Sequence, residues 1–140
     1  MLGLILLAIA AGLAVALQGQ FMGAMDRTAG TATSVLITYG IGALAAAAYF
    51  ALRRPAPSLR TIPLYAWTAG LLGLVIVGGI GYAAPRLGLA KTLIVTVAAQ
   101  LLAAIVIDHF GFFGAQQRSI DASRAIGLGL TVLGAWLVVK

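Results

Sequence analysis

The sequence predicts an all-α integral membrane protein of five transmembrane helices, and three observations carry that prediction. Hydrophobic residues make up 62% of the 140 and charged residues only 9%, with a mean hydropathy of +1.09. A soluble domain carries about 25% charged residues because its surface faces water, whereas a bilayer interior is itself an apolar solvent. The third observation is spacing. Uncharged runs long enough to cross roughly 30 Å of hydrocarbon, about 20 residues each, recur between short polar breaks.

The first run, Met1–Met25, predicts a helix over 2–25. Ala14-Val15-Ala16 is a signal-peptidase-like sequence, but no Lys or Arg precedes the run and apolar character continues past it, so a first span is expected rather than a cleaved leader. Asp26-Arg27-Thr28 forms the expected break, and the second span covers 29–52. It ends at Arg53-Arg54-Pro55-Ala56-Pro57-Ser58, where two prolines stop a helix and Ser58 is placed to cap the next. A third span over 62–83 is closed by Ala84-Pro85-Arg86, and a fourth over 87–107 requires Lys91 to snorkel to the interface. A longer connection from Asp108 to about Ser119 holds Gly111 and Gly114. The fifth span, 120–139, begins with Asp121 and Arg124 in a first turn at headgroup level. Tyr65, Trp67 and Trp136 stand where an aromatic belt is expected. The whole of 1–140 reads as a single membrane domain.

Small residues follow helical spacing, as in Ala8, Gly12, Ala16, then Gly19 and Gly23, or Ser34, Thr38, Gly42, Ala46. Four-residue spacing puts each set on one face, where backbones can approach closely. Gly12, Gly42, Gly70 and Gly73 are therefore candidate packing positions. Three glycines in Gly78-Gly79-Ile80-Gly81 weaken a helix by about 1 kcal/mol each relative to alanine, which predicts a flexible or partly unwound end of span three.

Nine Lys and Arg stand against three acids. The basic residues are scattered between apolar runs rather than gathered on one stripe, so they read as loop charges at a lipid surface and not as a nucleic-acid interface. Five spans put Arg53, Arg54, Arg60, Arg118 and Arg124 on one side and Arg27, Arg86, Lys91 and Lys140 on the other, a tally of five against four. So small a bias hardly sets orientation. Insertion in both directions, with antiparallel pairing of two copies around a central site, is the expectation that follows, since inverted repeats are a common transporter plan.

No ionisable residue lies at mid-span. The polar groups there are amides and hydroxyls, foremost Gln18, Gln20, Tyr39 and Gln100. An amide in hydrocarbon needs a partner, either another helix or a substrate. With Trp67, these four are the candidate substrate contacts. Gln18 and Gln20 stand about 200° apart around a helix, so they differ in facing. Asp108 and His109 close span four and, with Arg118 as a possible ionic partner, are candidates for a gate or an interface anchor. One histidine, no cysteine and no phosphate-binding glycine loop leave no catalytic constellation, metal site or cofactor to expect. An enzyme is not expected.

The stretch from Gln100 to Gly114, with Asp108-His109-Phe110-Gly111 within it, resembles the signature of the YdcZ-like branch of the drug/metabolite transporter superfamily. Leu17-Gln18, Trp67 followed by Gly70 and Gly73, Pro85 through Gly88 to Ala90, and Arg124 with Gly127 and Gly134 agree with it. Ala99 stands where the family usually has glycine, and Ala16 and Met22 replace a proline and an asparagine of the family's first span. The resemblance implies a five-helix protein of the bacterial cytoplasmic (inner) membrane, equivalent to one inverted-repeat half of a ten-helix transporter. It further implies an antiparallel homodimer or a paired homologue, with a small-molecule substrate. The resulting expectation is a secondary transporter exporting a neutral or zwitterionic organic solute. A non-transporting scaffold or accessory subunit is the alternative.

Overall fold

The computed structural model of the chain describes residues 1–53 and 61–140. Five helices in it are long and apolar enough to cross a membrane. They are α1 (Leu2–Ala29), α2 (Thr31–Arg53), α3 (Ala69–Leu87), α4 (Leu89–Phe110) and α5 (Ala122–Val139). A 3-10 turn over Leu64–Thr68 leads into α3, and another over Phe112–Gly114 follows α4. No strand occurs among the described residues. The two prolines, Ser58, Arg54 and Arg60 of the second break lie outside them.

The helices end later than the charges suggest. Asp26, Arg27 and Thr28 do not form the first break: they are helical, and the chain turns at Gly30. At 28 residues α1 is about 42 Å long, well beyond the hydrocarbon thickness, so its last turns can carry charge while still helical. Thr28 Oγ1 bonds back to the carbonyls of Ala24 and Met25, which suits a helix. Gly30 then takes φ 80°, a left-handed conformation that costs a glycine nothing. The third break is corrected in the same way. Pro85 lies inside α3, and Gly88, at φ 90°, ends it. A proline in the last turn removes one amide that Gly81 would otherwise accept, and its ring faces Gly23 of α1, where a Cβ would stand 3.4 Å from Cδ, at contact distance.

The expected unwinding at Gly78–Gly81 does not occur, because α3 is continuous through it. A Cβ on Gly81 would meet Met22 Cε at 2.9 Å, and one on Gly78 would meet Val35 Cγ2 at 3.7 Å. Glycine here lets α3 approach α1 and α2 together, and that packing holds the helix that propensity alone would weaken.

The chain divides into two compact units, residues 1–89 and 90–140. In the first, α1 packs on both α2 and α3, and α2 packs on α3. Met22, Ile80 and Ala84 are buried where they meet. Ser34, fully buried, donates from Oγ to the Met22 carbonyl at 3.2 Å and ties α2 to α1. In the second unit Asp121 caps α5, its Oδ1 accepting the Arg124 amide at 2.8 Å. Lys91 reaches the Val139 carbonyl at 3.1 Å, joining the start of α4 to the end of α5.

Candidate functional site

Gln18 lies on the stretch of α1 that leads to Met22, one turn before the point where α1, α2 and α3 converge. Gly19 and Gly23 set the approach of α3 along that face. A Cβ on Gly19 would stand 3.1 Å from Ile80 Cγ2, and one on Gly23 would stand 3.4 Å from Pro85 Cδ. Held in this way, Gln18 borders a small cavity of about 50 Å³ between α1 and α3 and two larger ones. One, of about 540 Å³, runs between α1 and α2 and is lined by Leu17, Phe21, Met22, Ile37, Thr38 and Ile41 among others. The other, of about 420 Å³, is bordered by Thr38, Tyr39, Gly42, Ala46 and Val77. Apart from Gln18, Thr38 and Tyr39, every side chain on these walls is apolar.

The hydrogen bonding of the three polar groups differs. Thr38 Oγ1 donates to the Ser34 carbonyl at 2.8 Å, so its oxygen remains an acceptor. Tyr39 carries its hydroxyl against Gly73, and no other residue type would leave that space. Among the described residues the Gln18 amide has no hydrogen-bond partner, and neither do those of Gln20 and Gln100. An amide can donate twice and accept twice, so Gln18 presents its full capacity to the cavities it borders.

Of the residues singled out in the sequence, the structure brings Gln18, Tyr39 and Gly42 together around one cavity. Gln20, Trp67 and Gln100 border neither of the two. Gln20 is exposed on the other side of α1, and Trp67 is exposed in the 3-10 turn before α3. Gln100 is exposed on α4, in the second unit. Gly73 is a close contact, whereas a Cβ on Gly12, Gly42 or Gly70 would meet no atom of the chain within 4 Å.

Sequence reasoning missed an ion pair at the end of this unit. Arg86 Nη1 donates to Asp26 Oδ2 at 2.8 Å, and the Asp26 side chain is 4% exposed. Thr31 donates to the other carboxylate oxygen. Arg86 also bonds the Tyr82 carbonyl at 2.6 Å and lies over the Tyr82 ring, 3.6 Å from its centre. The pair joins α1 to α3 across 60 positions. The available signal was topological: five spans put Asp26, one of three acids, on the same flank as Arg86.

In the second unit Asp108 does not pair with Arg118. The Arg118 backbone amide donates to the Asp108 carbonyl at 2.8 Å, closing the loop after α4, while its guanidinium lies 3.4 Å from Gln116 Oε1. His109 packs edge-on against Phe110, and its Nδ1 is buried without a hydrogen-bond partner. Asp108 instead borders a cavity of about 290 Å³ between α4 and α5, together with Arg124 and Thr131. No group of three or more metal-ligating side chains occurs among the described residues.

A family model described as "Putative inner membrane exporter, YdcZ" matches residues 3–137. No curated protein and no solved structure matches the chain.

Proposed function

Because the chain belongs to the YdcZ family of inner-membrane exporters within the drug/metabolite transporters, we propose that it exports a neutral or zwitterionic small organic solute. Membership and the five apolar helices make it a multi-pass protein of the inner membrane and a transporter in class; that family is not one of enzymes. Its working form is an antiparallel dimer of dual topology, in which each copy contributes half of the transport path.

The observation that carries the substrate reading is Gln18: an amide deep in an apolar helix, without a partner among the described residues, bordering two sizeable cavities. A solute that satisfies the amide replaces the hydrogen bonds that hydrocarbon withholds. The walls hold no carboxylate, ammonium or guanidinium, so an ion would enter without a counter-charge while a neutral or internally balanced solute would not. The Thr38 oxygen offers an acceptor beside the amide, and the apolar walls take the rest of the molecule. A second, inverted copy would cover the open side of each cavity.

The natural chain has no cysteine, so single cysteines report water access cleanly. Gln18→Cys and Gly42→Cys should react with a membrane-impermeant maleimide in native membranes, and Ala84→Cys, packed between helices, should not. Silence at position 18 equal to that at position 84 would leave a non-transporting scaffold as the better reading. The same labelling at position 100 tests whether Gln100 faces water. Reporters fused after Lys140 should give signal from both sides of the membrane; signal from one side alone removes the inverted dimer.

A further inference from the structure

We propose that the cavity between α4 and α5 is a binding site for a zwitterion, with Asp108 receiving the cationic end and Arg124 the anionic end. The two border one space of about 290 Å³, which suits a molecule of amino-acid size. Both are half-buried, and among the described residues neither side chain pairs with the other or with any other residue; the ion pair among them is Asp26–Arg86. Leu101, Ile105 and Leu128 give the cavity an apolar wall, and Thr131, which donates to the Gly127 carbonyl at 2.9 Å, leaves an acceptor oxygen on it.

Position along the helices makes the arrangement costly without a ligand. Asp108 lies in the last turn of α4, whose dipole disfavours an anion, and Arg124 lies in the first turn of α5, whose dipole disfavours a cation, although the Asp108 carbonyl accepts the Arg118 amide and Asp121 caps the Arg124 amide. Each charge thus sits at the helix end that disfavours it, the Asp121 cap offsetting part of the field at Arg124, and among the described residues neither side chain has an ionic partner. A molecule carrying an ammonium and an anionic group relieves both at once, through charge-assisted hydrogen bonds in a partly dry space. A single charge relieves one and worsens the other.

This site deepens the exporter reading by naming the charge class of its substrate, and it rests on that reading only for the step from ligand to cargo. Binding is measured without flux, so a cavity that binds nothing and a protein that transports nothing are separate results. The same chemistry occurs in a free amino acid and in a phosphatidylethanolamine headgroup. The purified full chain in phosphatidylglycerol nanodiscs is titrated calorimetrically with the ω-amino acids from glycine to δ-aminovalerate, and with the methyl ester and N-acetyl form of whichever binds best. At least one zwitterion should bind, its single-charge analogues about tenfold or more weakly. Asp108→Asn and Arg124→Gln should each weaken it by about tenfold to a hundredfold. The exchanged pair Asp108→Arg/Arg124→Asp should regain binding, which a general folding defect would not allow. Competition by added phosphatidylethanolamine identifies the headgroup as the source, and its absence identifies a free solute. No binding by any member of the series, equal binding of the single-charge analogues, or binding indifferent to both single variants overturns the proposal.

Discussion

Alanine at Gly81 and at Gly79 should give different stabilities although the two glycines are neighbours in one helix. Both substitutions recover the same helix propensity, about 1 kcal/mol. At Gly79 a Cβ meets nothing within 4 Å, so Gly79→Ala should stabilise by up to that amount. At Gly81 the new methyl would stand 2.9 Å from Met22 Cε, and Met22 is 1% exposed. Overpacking of this kind costs about 1–3 kcal/mol. The Met22 methyl is the end of a flexible chain bordering the cavity beside Gln18, so the lower figure applies and Gly81→Ala should come out near neutral. The difference between the variants is the steric term alone, about 1 kcal/mol or more. Reversible unfolding in mixed micelles, followed by circular dichroism, measures it. Met22→Ala should cost less in the Gly81→Ala background than in the natural chain, since there it also relieves the collision. Equal shifts at positions 79 and 81 would refute the claim that glycine permits this crossing.

Ser34→Ala removes the hydroxyl bond to the Met22 carbonyl and should destabilise by about 0.6–1 kcal/mol, the usual worth of an interhelical bond in a bilayer; Ser34→Leu should destabilise more, since the site has no free surface. Asp26→Asn leaves Arg86 without its counter-ion, so the midpoint of unfolding should fall, and the double variant Asp26→Asn/Arg86→Gln should recover part of the loss in the same assay. Arg27→Ala takes the basic tally to five against three and should shift a C-terminal reporter toward one side, whereas Arg118→Ala should equalise the tally and leave both sides reporting.

The number of spans was legible because hydrophobic length is a direct demand of the bilayer and needs no tertiary information. Where each span stops was less so. Charge and proline read as terminators on a linear scale, yet Asp26 continues its helix because Arg86 and Thr31 cover it, and Pro85 continues its own because Gly23 faces the ring. Both exceptions depend on residues far away in sequence. The small-residue rule marks Gly19, Gly23 and Gly73 but not Gly81, and it does not say what any of them meets, since spacing identifies a face but not the neighbour that the face meets. Gln18 was legible as a polar group in an apolar run; that it borders two sizeable cavities follows only from the way α2 and α3 flank it.

Aspartate and arginine occur together twice in this chain, and what separates the two cases is satisfaction rather than residue type. Asp26 has a guanidinium on one oxygen and a hydroxyl on the other, and Arg86 divides itself among a carboxylate, a carbonyl and a ring. Both oxygens of the nearly inaccessible Asp26 carboxylate are engaged, so the pair acts as a fastening between α1 and α3. Asp108 and Arg124 share a cavity without touching and sit against the fields of their own helices. Charges free to move would close on each other and gain the same Coulomb energy that Asp26 and Arg86 gain. Here the carboxylate and the guanidinium form no ion pair with each other, and a ligand that bridges the two is selected by length as well as by charge. Affinity across the ω-amino acid series should therefore pass through a maximum, and a flat series would mean that the two charges are reached independently.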